Sequence, residues 1–200
     1  VTNRISAGFS LIAGKKKMRN FALGIIAAFL VLGLGGLAIA GFGFMPTNAD
    51  SSPPAVEKRI ATSALHAAMS RRAPRLSNPV PASDQNLIAG MKIYTINCAV
   101  CHGTLDNQPS PLEYSFYPPV PQLVLDPIND PQWHTYYVVR NGIRYTGMPS
   151  WRHTLSEQEM WKVTGFLSQV ETLPPAVQDY WVQSYGIRPR VATESHSQPQ

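Results

Sequence analysis

Cys98 and Cys101 are the two cysteines of this 200-residue chain, and His102 follows directly on the second. In Cys98-Ala99-Val100-Cys101-His102 the thiols sit three positions apart, on one helical turn. Thiols so placed can add to the two vinyl groups of a protoporphyrin, and the adjacent imidazole is then held under the iron as an axial ligand. Other uses of a Cys-x-x-Cys pair fit less well. A thioredoxin-type pair belongs beside a βαβ pattern, whereas the residues before Cys98 read as helix. A zinc site needs four ligands, and the sequence offers no second pair. One covalently attached haem c is therefore expected.

A second axial ligand is expected from Gly147-Met148-Pro149. A thioether is a soft ligand for haem iron, and proline drives the residue before it out of the α region into an extended loop. Met69, Met91 and Met160 have helical settings that suit core packing, while Met148 has a loop setting well after the attachment residues. His153 and His134 are the bis-histidine alternatives. Neither a catalytic carboxylate pair nor a histidine constellation accompanies the axial groups, so no catalytic residue is assigned.

Several elements must position these groups. Ser83 is a candidate N-cap, and Leu87, Met91, Tyr94 and Cys98 then fall on one helical face that leads into the attachment motif. Gly90 within that pattern predicts a close helix contact. Beyond Gly103, the prolines of Pro118-Pro119-Val120-Pro121-Gln122-Leu123 exclude helix and favour an extended wall. A carbonyl of that wall can accept the Nδ1 proton of His102 and leave Nε2 for iron. Asp130-Pro131 reads as an N-cap followed by proline at the first helical position, with Gly142 as the stop. Ser156 and Glu159 form a capping box, with Leu155 and Met160 as its hydrophobic staple. The helix they open carries Val163, Phe166, Leu167 and Val170 on one stripe, and its Gly165 predicts a close crossing with the first helix. Leu173-Pro174-Pro175 ends it, a short aromatic run (Tyr180, Trp181, Tyr185) follows, and the tail from Val191 is expected to be disordered.

The formal charge of +5 lies on the flanks. Residues 1–20 carry five bases and no acid, whereas residues 83–190 carry seven bases and nine acids. This distribution is no nucleic-acid footprint. Phe21 to Phe44 contains no charge and as a helix would span ~36 Å, enough for a bilayer core. It exceeds the apolar core of a cleaved leader, although Ala38-Ile39-Ala40 resembles a cleavage site, and it is read as a transmembrane anchor. The Lys15–Arg19 cluster before it predicts a cytoplasmic N-terminus. Gly36-x-x-x-Ala40 offers a small-residue contact for a neighbouring helix. The expected organisation is a basic N-terminus (1–20), an anchor (21–44), a Pro/Ser-rich stalk with a helix-compatible run from Pro54 to Arg72 (45–82), a haem domain (83–173) and a C-terminal extension and tail (174–200). His66 in the stalk has no expected role.

In combination these residues resemble a class I cytochrome c, of the membrane-anchored monohaem bacterial type. The features that carry the resemblance are the attachment motif after a helix with Gly90 and Tyr94, the Pro121-Gln122-Leu123 element, the run from Arg140 to Pro149, and a last helix with Val163 and Phe166. The resemblance spans residues 83 to 172. It implies an all-α haem domain behind one transmembrane helix, with first and last helices crossing and Pro121 supplying the carbonyl for His102. The usual Gly-x-Gly after the attachment motif is replaced by Leu105-Asp106-Asn107-Gln108, which leaves Pro119 and Pro111 as other acceptors. Arg144, Tyr145 and Trp151 flank the Met148 loop and are candidate donors to the haem propionates. The implied function is electron transfer on the periplasmic side of the bacterial cytoplasmic membrane, in a respiratory chain, between a respiratory or dehydrogenase complex and an acceptor. Its partners would be redox proteins, with the chain either a free carrier or a fixed subunit of a membrane electron-transfer complex. The competing reading is a haem sensor or haem enzyme, which needs an open iron site.

Overall fold

The computed structural model describes residues 3–187 and Pro189, with side chains from Lys17 onward. The chain divides into two compact units, Val1–Thr47 and Asn48–Gln200. The tail from Val191 lies outside the described residues.

The first unit is one helix, α1 (Asn3–Gly41), in which Lys17–Gly41 is by length and composition able to cross a membrane. The helix runs through the basic cluster instead of starting after it, and it stops three residues before Phe44. The stop has a local cause. Phe44 N–H donates to Ile39 O (3.0 Å) and Gly43 N–H to Ala40 O (3.4 Å), with Gly43 at φ 75°. This pair of bonds is a Schellman cap, and it needs a residue that tolerates the left-handed region.

The second unit holds α2 (Ala55–Arg72), α3 (Asp84–Asn97), the single turn α4 (Ala99–His102), α5 (Gln132–Asn141), α6 (Glu157–Leu167) and α7 (Pro175–Tyr185). The described residues contain no strand. Its core is built on α3 against α6, with α5 on α6 and α7 on α3. The stripe read from the sequence is the buried one: Leu87, Met91 and Tyr94 of α3 face Met160, Val163 and Phe166 of α6, all at 1% exposure or less. A Cβ on Gly90 would overlap the Lys162 carbonyl oxygen and lie 2.9 Å from Phe166 Cβ, so the helices cross backbone to backbone at that residue. Gly165 does not share the crossing. Its empty side faces the Asn78 amide, 3.3 Å from where a Cβ would be.

The helix ends follow their caps, with one correction. Ser83 accepts from Asn86 N–H, and Ser156 and Glu159 form the reciprocal capping box of α6. Gly142, at φ 67°, ends α5. Asp130, expected as the N-cap of that helix, is not; the cap position falls on Pro131 and α5 opens at Gln132. The Asp130 carboxylate is instead drawn to His134 Nδ1, 2.8 Å away. That contact places an acid and an imidazole one turn apart, an exchange of one capping hydrogen bond for a charge-assisted one.

Two segments differ from their expected roles as stalk and extension. From Asn48 the stalk belongs to the same compact unit as the haem-motif helices. Met69 and Ala73 are buried, His66 stacks on His134 with ring centroids 5.7 Å apart, and Tyr117 donates to Glu57 at 2.6 Å. The Asn78 amide donates to Gln132 Oε1 and to Trp161 O. Ala-rich composition with scattered bases reads as a solvated helix, and these contacts are set by its partners. The aromatic run after Pro175 is a full helix whose Val177 and Trp181 have no exposed surface.

Two substitutions test this packing. Gly90→Ala must push α3 off α6 and is expected to destabilise the domain by about 2–3 kcal/mol in urea unfolding, or to prevent its accumulation. Ser156→Ala is expected to cost about 1 kcal/mol. It should also flatten the acid limb of stability. The Ser156 side chain, and then its backbone N–H, hold the Glu159 carboxyl below its ordinary 4.5. A depressed carboxyl contributes stability that is complete above that value and is lost as pH falls through the lower folded one. Thermal unfolding scans between pH 6 and pH 3 should therefore show a smaller loss in Ser156→Ala than in the parent.

Candidate haem site

The site begins where α3 ends. Cys98 caps α3 and starts the next turn, accepting from Cys101 N–H (3.1 Å) and His102 N–H (2.9 Å). The two thiols and the imidazole thereby share one turn, with both cysteines free and half-buried. Burial, and then the neighbouring Cys101, push the Cys98 thiol up to about 12, which keeps its sulfur protonated at neutral pH.

The turn is pinned on three sides. From α3, the fully buried Tyr94 donates its hydroxyl to His102 O (2.9 Å) and Gly103 O (2.8 Å). Burial, and then the neighbouring Cys98, raises the pKa of that hydroxyl, so it remains a donor. From the proline wall, Leu123 N–H donates to His102 O at 3.0 Å. From the loop between them, Ser110 Oγ donates to Val100 O at 2.5 Å. The buried Gln122 connects the last two. Its amide nitrogen donates to Cys101 O (3.3 Å) and Val120 O (2.9 Å), and its oxygen accepts from Ser110 N–H (2.7 Å). Gly103, at φ 91°, leaves room for that oxygen, which would be 2.9 Å from a Cβ. The bridging Gln122 and Ser110 were missed as positioning residues in the sequence. The signal for Gln122 was present, as an amide directly after Pro121 in an apolar stretch.

Whether a haem suits these residues turns on His102. Its Nδ1 lies 2.8 Å from Pro121 O. A carbonyl only accepts, so Nδ1 carries the proton and Nε2 keeps its lone pair for a metal. Burial holds the imidazole below its usual pKa range, against the opposing pull of the Pro121 carbonyl, and this too favours the neutral ligand form. Of the three proline carbonyls considered, Pro121 is the one the structure sets against His102. No group of three or more His, Cys, Asp or Glu able to hold a bare metal ion occurs among the described residues.

Met148 lies in a loop closed at both ends. Ile143 N–H donates to Met148 O (3.1 Å), Thr146 Oγ donates to Ile143 O (2.8 Å), and Thr146 Oγ accepts from Met148 N–H (3.2 Å). Ser150 Oγ and Trp151 N–H tie the exit to Arg140 O and Val139 O on α5. The Phe116 ring covers Gly147 where a Cβ would stand. Arg144 and Tyr145 occupy the exposed tip, Tyr145 at 91% exposure and φ 64°, whereas Trp151 packs against the core. The alternative ligands are otherwise engaged: His134 is buried against Asp130 and His66, and His153 is exposed and accepts from Arg152 Nε at 3.1 Å.

Residues 85–167 match the family model described as cytochrome c oxidase, cbb3-type, subunit III. These residues form a class I c-type cytochrome domain. The cytochrome domain thus runs from the first turn of α3 to the last residue of α6, and it implies haem binding. Comparison with curated proteins and with solved structures finds no match. Helices α2 and α7 lie outside the matched residues and pack against the cytochrome domain within one compact unit.

Removing the Gln122 bridge should be costly at this site. Gln122→Ala leaves the buried Ser110 N–H without its acceptor and is expected to destabilise the cytochrome domain by about 1–3 kcal/mol in denaturant unfolding.

Proposed function

We propose that this chain is a membrane-tethered monohaem electron carrier, and not itself an enzyme. In this reading one haem c is attached through Cys98 and Cys101, with His102 and Met148 as axial ligands. The observation that carries it is the His102 Nδ1–Pro121 carbonyl bond, which leaves Nε2 as the ligating nitrogen beside the paired thiols. The bound haem supplies one-electron exchange at its iron. The chain's own part is to fix the imidazole tautomer, to hold the thiol turn rigid through Tyr94 and Gln122, and to present Met148 from a loop tied to α5. Trp151, with Arg144 and Tyr145 at the tip, would donate to the propionates. Two filled axial positions favour electron transfer over ligand chemistry, and a His/Met pair raises the potential relative to bis-histidine.

Further support comes from the flanking sequence and the family match. Lys17–Gly41 would anchor the chain once in the bacterial cytoplasmic membrane, with the Lys15–Arg19 cluster keeping the N-terminus inside and the cytochrome domain outside. The match to a cbb3-type oxidase subunit III supports a respiratory redox partner, with the chain serving such a complex as a subunit or as its docked donor.

Carbon monoxide tests the reading. The reduced parent should bind it slowly or not at all, while Met148→Ala should bind it stoichiometrically and show a lower reduction potential. Rapid stoichiometric binding by the undamaged parent would overturn the carrier in favour of an open-iron sensor or enzyme.

A further inference from the structure

Helix α7 lies beyond the residues that match the cytochrome family, yet its central side chain is one of the most completely buried in the protein. Trp181 donates its indole N–H to Leu105 O at 2.7 Å, across the core. Leu105 is itself buried and lies three residues after His102, in the loop where the Leu105-Asp106-Asn107-Gln108 sequence departs from the usual glycine pattern. That loop closes on itself through Thr104 N–H to Gln108 O (3.1 Å) and a contact between the Thr104 hydroxyl and Asp106. The left-handed turn within it falls on Asn107 (φ 60°) instead of a glycine, and the Trp181 indole holds its Leu105 carbonyl from the core side.

We propose that Trp181 is a positioning residue for the axial histidine, an inference that rests on the haem reading above. Two routes connect them. One is covalent, from Leu105 O back through Thr104 and Gly103 to His102. The other runs through packed rings: Trp181 to Phe166 at 6.0 Å, Phe166 to Tyr94 at 5.8 Å, and the Tyr94 hydroxyl to the carbonyls of His102 and Gly103. Both routes end on the backbone that aims the imidazole at Pro121 O. Helix α7 is itself fixed for the task. Tyr185 and Thr95 share a hydroxyl bond (3.0 Å), Gln178 donates to Leu173 O (2.7 Å), and Lys92 lies over the Tyr180 ring. A filler of the core would need only the ring's volume; the directed N–H at 2.7 Å fixes one carbonyl of one loop.

The test is exchange of the His102 Nδ1 proton, followed by NMR on the full-length, haem-loaded, reduced protein in detergent. Trp181→Phe keeps a ring and removes the donor. Exchange is expected to quicken about tenfold, the equivalent of one buried hydrogen bond. Val170→Ala, which opens the same core but touches no hydrogen bond of the loop, controls for general loss of stability and should exchange like the parent. Equal rates in Trp181→Phe and the parent would overturn the proposal, as would equal acceleration in both variants. Should Trp181→Phe fail to accumulate, Tyr185→Phe loosens α7 from α3 without altering the indole. It should quicken exchange to a smaller extent, and an unchanged rate there is equally fatal. Haem content of the parent, read by absorbance after denaturation, tests the functional reading separately.

Discussion

The absence of space for a single methyl group between Gly90 and the Lys162 carbonyl governs this domain. Because α3 and α6 meet backbone to backbone there, the residues one turn further along α3 arrive in register with Phe166, and Tyr94 is driven fully into the core. A tyrosine buried so deeply must find acceptors for its hydroxyl. The acceptors it finds are the two carbonyls that end the thiol turn. Placement of the chemical groups is thus inherited from a helix crossing one turn back along the same face of α3.

A second layer of control comes from polar groups that have no contact with the thiols. Gln122 satisfies one donor on the Ser110 loop and two acceptors, one on the thiol turn itself and one in its own proline wall. Such a bridge is stable only when all its members are satisfied, and it converts a loop rich in proline into a rigid wall. The Pro121 carbonyl can serve the imidazole because the next residue is immobilised.

Much of this was legible in the sequence, wherever the signal was local. Ser83, the Ser156/Glu159 box, Gly142 and the Leu87/Met91/Tyr94 stripe each state a rule that depends on neighbours within a turn or two, and the helices obey them. The turn that brings Cys98, Cys101 and His102 together was legible because their spacing states it. What was not legible depended on distant partners. Asp130 reads equally well as a cap or as a partner for His134, and only the fold chooses. The alanines around His66 give no hint that α2 will lie on the domain, since its contacts are two rings, one methionine and a tyrosine hydroxyl from far along the chain. Pro174-Pro175 reads as a stop, and it is also the start of α7, because proline is welcome in a helix's first turn.

The helix crossing also sets an order of events. It joins the first and last helices of the cytochrome domain, so it closes a long loop at a high entropic cost, and the α3–α7 contact of Thr95 with Tyr185 closes a longer one. In a chain made from its N-terminus, Cys98 and Cys101 exist well before Lys162 and Phe166 do. Until α6 arrives, nothing presses on Gly90, Tyr94 has no core to enter, and the thiol turn stays open to reaction. The time between synthesis of the turn and synthesis of its cover is therefore written into the fold, as a window during biogenesis after which the thiols are half-buried.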